Sequence, residues 1–117
     1  MSVGTVKKEQ GGQRDVFGGK QFSVIDYAGP TSYANSGVGA TSGDQITPSM
    51  FGFFNTILCP IISDGFDQSG TYEMIWQPVQ SGLTPWRVRW FVVATGVEVA
   101  NGVNLSAYVV KMAALGY

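Results

Sequence analysis

The chain of 117 residues contains no histidine and a single cysteine, Cys59. Histidine is the commonest general base and the commonest metal ligand, so its absence disfavours most catalytic and metal-dependent chemistry. One cysteine cannot form an internal disulfide framework or a cysteine-rich zinc site. Because Cys59 lies in an apolar segment and no histidine can activate it, we expect a buried, inert thiol and no enzymatic activity.

Charge is also scarce, at 13% of residues against roughly 25% in an average soluble domain. Residues 21–86 carry five carboxylates and no basic residue, whereas the segments on either side are weakly basic. Nucleic-acid binding usually requires a continuous basic surface, so we expect no nucleic-acid partner. Two interpretations of the charges stay open: solvated side chains on a small domain, or association between oppositely charged surfaces.

Long apolar runs are absent. The longest such stretch, residues 53–62, is about half the length of a membrane-spanning helix and is interrupted by polar residues and Pro60. The first residues lack the apolar core of a signal peptide, so we expect a chain made in the cytoplasm with no membrane partner. Low charge and 44% hydrophobic residues indicate that a partner covers part of the surface.

Residues 1–19 differ from the rest because they are rich in glycine and polar residues, with few apolar side chains. Such a segment cannot form a core by itself. Two outcomes stay open: a flexible tail, or an extended arm that lies on a neighbouring subunit and is anchored by Val16 and Phe17. We therefore divide the chain into an N-terminal arm, 1–19, and a single antiparallel β domain, 20–117.

From residue 20 onward, apolar and aromatic residues alternate in the pattern of strands. One further segment, from Thr47 to Gly52, predicts a single helical turn with Thr47 as its cap and Pro48 in its first position. Residues 53–62 are apolar on both faces, which predicts a strand covered on both sides. The predicted strands are 20–28, 53–62, 71–77, 87–95 and 107–115, and the longest predicted loop is 31–45.

No amphipathic segment of helical period exceeds about two turns. Strands separated by glycine-rich turns, without crossover helices, predict an all-β antiparallel fold. We expect a small antiparallel β-sandwich or flattened barrel with an extended N-terminal arm, in which aromatic and β-branched faces are buried between two layers.

Two carboxylates, Asp64 and Asp67, lie in a glycine-rich turn. Calcium takes about six to eight oxygen ligands, and this segment lacks the alternating oxygen-bearing residues and the closing glutamate of such sites. We therefore predict that Asp64 and Asp67 accept hydrogen bonds from backbone N–H groups of the turn, and we expect no metal and no cofactor.

The best candidates for a contact surface are one tryptophan and two arginines. Trp86 follows Pro85 at the start of a predicted strand, and Arg87 and Arg89 lie on one face of that strand. Tryptophan and arginine are enriched at protein–protein hot spots. The two open interpretations are a protein-binding edge and a solvated strand face. Trp86 and Tyr33 also suggest an aromatic platform for a glycan.

Three C-terminal segments, RVRWFVV at 87–93, GVEVANG at 96–102 and NLSA at 104–107, resemble a group of small decoration, or cement, proteins of tailed-bacteriophage capsids. The earlier segments 32–37, 46–48 and 70–76 follow in the same order as similar elements of that family. The resemblance covers about residues 20–117 and brings no catalytic residues with it.

The resemblance implies a structural virion protein on the capsid exterior that binds the major capsid protein and stabilises neighbouring capsomers, often as a homotrimer. Repetition over the lattice would supply avidity. The contact regions would then be the arm with Val16 and Phe17, the loop around Tyr33, and the edge formed by Trp86, Arg87 and Arg89. Two other functions stay open: a tail, neck or head-fibre component, and a glycan-binding β domain.

Overall fold

The structure is a computed structural model that describes residues 4–8, 15–17, 20–38, 41–62, 65–67, 69–77 and 86–117. Within these ranges the chain forms eight strands and one 3-10 turn, Pro48–Phe51. The strands are β1 (Thr5–Lys8), β2 (Asp15–Phe17), β3 (Lys20–Ala28), β4 (Asp44–Ile46), β5 (Ile57–Ile62), β6 (Tyr72–Gln77), β7 (Trp86–Val92) and β8 (Val109–Gly116).

The strands form two antiparallel sheets, which confirms the predicted all-β, sandwich-like fold. The first sheet has the order β1-β3-β8-β5, and β2 also pairs with β3. Since β2 pairs with the first residues of β3 and β1 pairs with the last ones, the two short strands follow one another along the same edge. The second sheet has the order β4-β7-β6.

The inward faces of the two sheets share one hydrophobic core. Ile25 and Tyr27 on β3 and Met112 on β8 are fully buried, and so are Val88 and Trp90 on β7. Their spacing of two residues is the alternation that the sequence shows in these strands. The strands predicted at 20–28, 87–95 and 107–115 therefore correspond to β3, β7 and β8, and each has one buried face.

The predicted helical turn is present, but its cap differs. Pro48 lies in its first turn, and Gly52 ends it in the left-handed conformation at φ 83°. Thr47 occupies the cap position without a side-chain capping hydrogen bond. The Thr47 hydroxyl instead lies 3.1 Å from Oγ of Ser49, so Pro48 and Gly52 set the bounds of the turn.

Two predictions about residues 53–62 are wrong. The strand begins at Ile57, and its two faces are not both covered; among the described strands β5 is the edge of its sheet. Leu58 is 44% exposed, and Cys59 is also exposed, so the thiol is not buried. Pro60 accounts for the position, because proline lacks the N–H that a central strand donates.

The predicted loop 31–45 ends earlier than expected. Asp44–Ile46 form the short strand β4, which pairs with the first residues of β7. Asp44 lies opposite Val88, and Ile46 lies opposite Trp86. The pairing brings the end of this loop against β7, where the polar contacts described next are found.

Candidate functional site

A buried carboxylate joins the two sheets. Asp44 on β4 is fully buried, and its Oδ2 accepts hydrogen bonds from the Tyr27 hydroxyl of β3 at 2.7 Å and from the Trp90 indole N–H of β7 at 3.2 Å. The Tyr27 oxygen also accepts the backbone N–H of Gly4 at 2.8 Å. Burial, and then the charge of Asp44, raise the pKa of Tyr27, so this hydroxyl stays protonated and donates.

A second carboxylate, Glu98, joins the loop after β3 to β7. Its Oε2 accepts the Tyr33 hydroxyl at 2.7 Å and also the Ser42 hydroxyl, and its Oε1 pairs with the Arg89 guanidinium at 2.8 Å. Burial acts to raise the pKa of Glu98, but the hydrogen bonds from Arg89, Ser42 and Tyr33 and the charge of Arg89 outweigh it and lower that pKa. Glu98 therefore stays charged and holds the loop after β3 against β7.

The lowered pKa of Glu98 predicts acid sensitivity of the fold. Its stabilisation is fully present above the ordinary glutamate pKa of 4.5 and is lost as the pH falls through the lower folded value. Urea unfolding from neutral to acidic pH should show a shallower loss of unfolding free energy below that pH in Glu98→Gln than in the wild type. Identical pH slopes would contradict this prediction.

The acidic turn binds its own backbone at Asp67, as predicted. Oδ1 accepts the backbone N–H of Ser69 at 2.6 Å and its hydroxyl at 2.5 Å, and Oδ2 accepts the backbone N–H of Tyr72 at 2.6 Å. Burial acts to raise the pKa of Asp67, but these hydrogen bonds outweigh it and lower the pKa. Asp64 lies outside the described residues.

In the part of the chain that the structure describes, no group of three or more His, Cys, Asp or Glu side chains could hold a metal ion.

The structure separates the predicted contact residues. Tyr33 is only 1% exposed, and its hydroxyl accepts the backbone N–H of Trp90 at 3.1 Å. The indole N–H of Trp86 donates to the Ile57 carbonyl of β5 at 3.1 Å, and the Trp86 ring packs edge-on against Trp76 with 6.0 Å between centroids. Tyr33 and Trp86 therefore serve the interior and form no shared aromatic platform.

The two arm residues lie on β2. Val16 is paired with Gln21 of β3, and Phe17 is paired with Lys20. Their side chains lie outside what the structure describes, so their predicted contact with a neighbouring subunit stays a prediction.

Arg87 and Arg89 share one face of β7, as predicted, and in the structure this face points outward. We call it the β6–β7 face, and its cross-strand pairs are Glu73 with Phe91, Ile75 with Arg89, and Gln77 with Arg87. Ile75 is 47% exposed, and the nearby Phe66, bridged to Glu73, is 43% exposed. The face therefore combines accessible apolar side chains with arginine.

Arg89 is held rigidly on the β6–β7 face. Besides its ion pair with Glu98, it donates to Oε1 of Gln77 at 3.3 Å, and its guanidinium lies 5.1 Å from the centroid of the Phe91 ring. Arg87 makes longer contacts, at 3.4 and 3.5 Å, to the carbonyls of Thr41 and Gly43. A partner would thus meet an Arg89 guanidinium that is already held in position.

The first sheet has a second outward face, which sequence reasoning missed. We call it the β3–β8 face, and six of its eight central side chains are apolar. Its only charged members, Asp26 and Lys111, form an ion pair at 2.8 Å. The members are Phe22, Val24, Asp26, Ala28, Val109, Lys111, Ala113 and Leu115.

The signal for this surface is present in the sequence. Phe22 and Val24 alternate with buried β3 residues, and Ala113 and Leu115 alternate with buried β8 residues. Both faces of β3 and β8 are thus apolar, whereas the outward face of a sandwich strand is usually polar. The apolar character on both faces that we noted for residues 53–62 is thus also found in these two central strands, although only their inward faces are buried.

No helix among the described ranges is long and apolar enough to cross a membrane. The described surface instead offers the two outward sheet faces as its main candidates for contact. Comparisons of this chain with protein-family models, with curated proteins and with solved structures found no match.

Proposed function

We propose that this chain is a structural virion protein that binds the outside of a bacteriophage capsid, as a decoration or cement protein. The resemblance of residues 20–117 to such proteins supports the capsid setting. The observation that carries the binding role is the composition of the β6–β7 face. There Ile75 is 47% exposed beside Arg89, which stacks on Phe91.

The physical mechanism of such a protein is mass action. A protein that binds assembled capsomers better than separated ones stabilises the shell by the free energy of binding. Fully burying one large, exposed apolar side chain contributes about 1.5–3 kcal/mol, and Ile75, which is 47% exposed, would contribute roughly half of that. Because the contact repeats at every equivalent lattice position, modest single contacts are sufficient.

The proposed partner is the major capsid protein, and the proposed location is the capsid exterior, after synthesis in the host cytoplasm. A tail, neck or head-fibre component would differ in copy number. Quantitative mass spectrometry of purified particles should find this chain in numbers comparable to those of the major capsid protein. A handful of copies per particle would overturn the decoration role and favour the tail or fibre alternative.

The β6–β7 face predicts a specific binding defect. Ile75→Asp puts a charge at an exposed position with no core contact, so the fold should persist while affinity for the shell falls at least about tenfold. Recombinant chain is added to particles that lack it, and the bound fraction is measured by sedimentation. The matched control is Phe54→Asp, at an 89% exposed residue before β5, which should leave binding unchanged. Equal binding by Ile75→Asp and the wild type would contradict the assigned face.

A further inference from the structure

The β3–β8 face consists of four cross-strand pairs whose members complement one another. One pair is aromatic and aliphatic, two combine a valine with an alanine, and one combines opposite charges. The pairs are Phe22 with Leu115, Val24 with Ala113, Asp26 with Lys111, and Ala28 with Val109. This composition has a geometric consequence when the face meets a copy of itself.

We propose that the β3–β8 face binds a second copy of this chain about a twofold axis that runs along the strands, between β3 and β8. Rotation about this axis turns the sheet over, so that β3 of one copy lies opposite β8 of the other at the same level. Asp26 then faces Lys111 of the partner subunit, and Lys111 faces Asp26 of the partner subunit. Every β3–β8 pair of the face becomes a pair between the two copies.

The side-chain sizes fit the same arrangement. Val24 lies opposite the small Ala113 of the partner subunit, and Ala28 lies opposite Val109 of the partner subunit. Phe22 lies opposite Leu115 of the partner subunit. A large side chain therefore meets a small one in both valine–alanine pairs, which is how the layers of aligned sheets interdigitate.

The charges favour a copy of this chain over an unrelated partner. Asp26 and Lys111 keep 28% and 52% of their side-chain surface exposed, and their charges cancel at the centre of the face. A uniformly acidic or basic partner would place a like charge against one of them. A second copy presents the same two charges in reversed order, which is the complement that this face requires.

The size of the face determines how tightly two copies are expected to bind. The first sheet, whose strands are three to nine residues long, covers roughly 500 Å² per copy at about 4.8 Å per strand and 3.3 Å per residue, and β3 with β8 supply a little over half of this area. A typical stable interface buries about 800 Å² per partner. We therefore expect a reversible dimer that dissociates at micromolar concentrations.

This inference goes beyond the proposed capsid role, because it concerns the free protein and the opposite outward face. It also differs from the homotrimer that the family resemblance implies, since a face that is its own partner requires a twofold axis. Sedimentation equilibrium without any capsid tests it, whereas the capsid-binding assay tests the proposed function. Either one can fail while the other holds.

Charge-reversal variants provide the test. In an Asp26→Lys dimer, two lysines of one copy face two lysines of the other, and in a Lys111→Asp dimer two carboxylates face two carboxylates. Each variant alone should therefore dimerise at least about tenfold more weakly than the wild type. An equimolar mixture of the two should recover the dimer, because every lysine then faces a carboxylate. Circular dichroism checks that each variant is folded, and Glu73→Lys on the β6–β7 face should dimerise like the wild type.

The double variant Asp26→Lys/Lys111→Asp gives an independent test, because it retains the ion pair within each copy with its signs exchanged. It should dimerise with itself but not with the wild type. If either single variant fails to fold, this double variant is used in place of the mixture. A wild type that stays monomeric at high micromolar concentration or forms a trimer would overturn the proposal. So would a mixture of single variants that stays monomeric, or a double variant that pairs with the wild type.

Discussion

Asp44→Ala is expected to lower the free energy of unfolding by about 3–5 kcal/mol, a large share of the roughly 5–15 kcal/mol typical of a folded domain. The variant removes the acceptor of the Tyr27 hydroxyl and of the Trp90 indole N–H, both of which lie between the sheets. Each donor left buried without its partner costs about 1–3 kcal/mol, and the missing side chain leaves a cavity. Thermal unfolding should shift downward by roughly 10 °C or more.

Two variants separate the hydrogen bonds from the loss of a negative charge. Asp44→Asn keeps an oxygen that can accept both donors, so it should destabilise the fold clearly less than Asp44→Ala. Glu73→Ala removes a partly exposed carboxylate from β6 and should change the unfolding free energy by about 0.5 kcal/mol or less. If Asp44→Ala were no more harmful than Glu73→Ala, the carboxylate would not join the sheets as described.

The long strands of this fold could be predicted from the sequence because alternation is a local property. In β3, β7 and β8 the buried side chains recur at every second position over seven to nine residues. That length is enough to identify the strand and the two sets of side chains that share a face. The antiparallel class followed from the absence of helical segments between the strands.

The short strands could not be predicted, because their pairing depends on distant partners. β2 and β4 have three residues each, and β1 has four, which is too short for a measurable period. β4 exists because residues 44–46 meet the start of β7, 40 to 44 positions later. Edge exposure of β5 likewise depends on which strands lie beside it, and the local pattern of residues 53–62 carries no such information.

The candidate contact residues also form two groups: those whose position follows from the local sequence, and those whose position depends on distant partners. Arg87 and Arg89 lie on one outward face because the parity of a single strand fixes their direction. Tyr33 and Trp86 instead point inward. Tyr33 is held there by a hydrogen bond to Glu98, 65 positions away along the chain, and Trp86 by one to the Ile57 carbonyl, 29 positions away. Exposed aromatic residues thus cannot be told from buried ones until the two sheets are assembled.

Gly43→Ala is expected to destabilise the fold by about 3 kcal/mol, for two reasons that add. Gly43 has φ +89°, where a side chain costs about 1–2 kcal/mol. A Cβ there would also overlap the Val88 carbonyl oxygen of β7, and relieving such crowding costs a further 1–3 kcal/mol or so. Since Gly43 directly precedes Asp44, any shift would also move the buried carboxylate away from its donors. Urea unfolding monitored by tryptophan fluorescence measures the loss.

Gly37→Ala is the matched control, because it separates the backbone strain of a positive φ from the overlap of the new Cβ with a neighbouring strand. Gly37 has a similar φ of +77°, but nothing lies within 4 Å of the position its Cβ would take. This variant should cost only about 1–2 kcal/mol, the backbone component alone. The difference between the two variants then measures how tightly the segment before β4 is pressed against β7. Equal losses in the two variants would mean that the chain before Asp44 can move, and that β4 does not fix the carboxylate between the sheets.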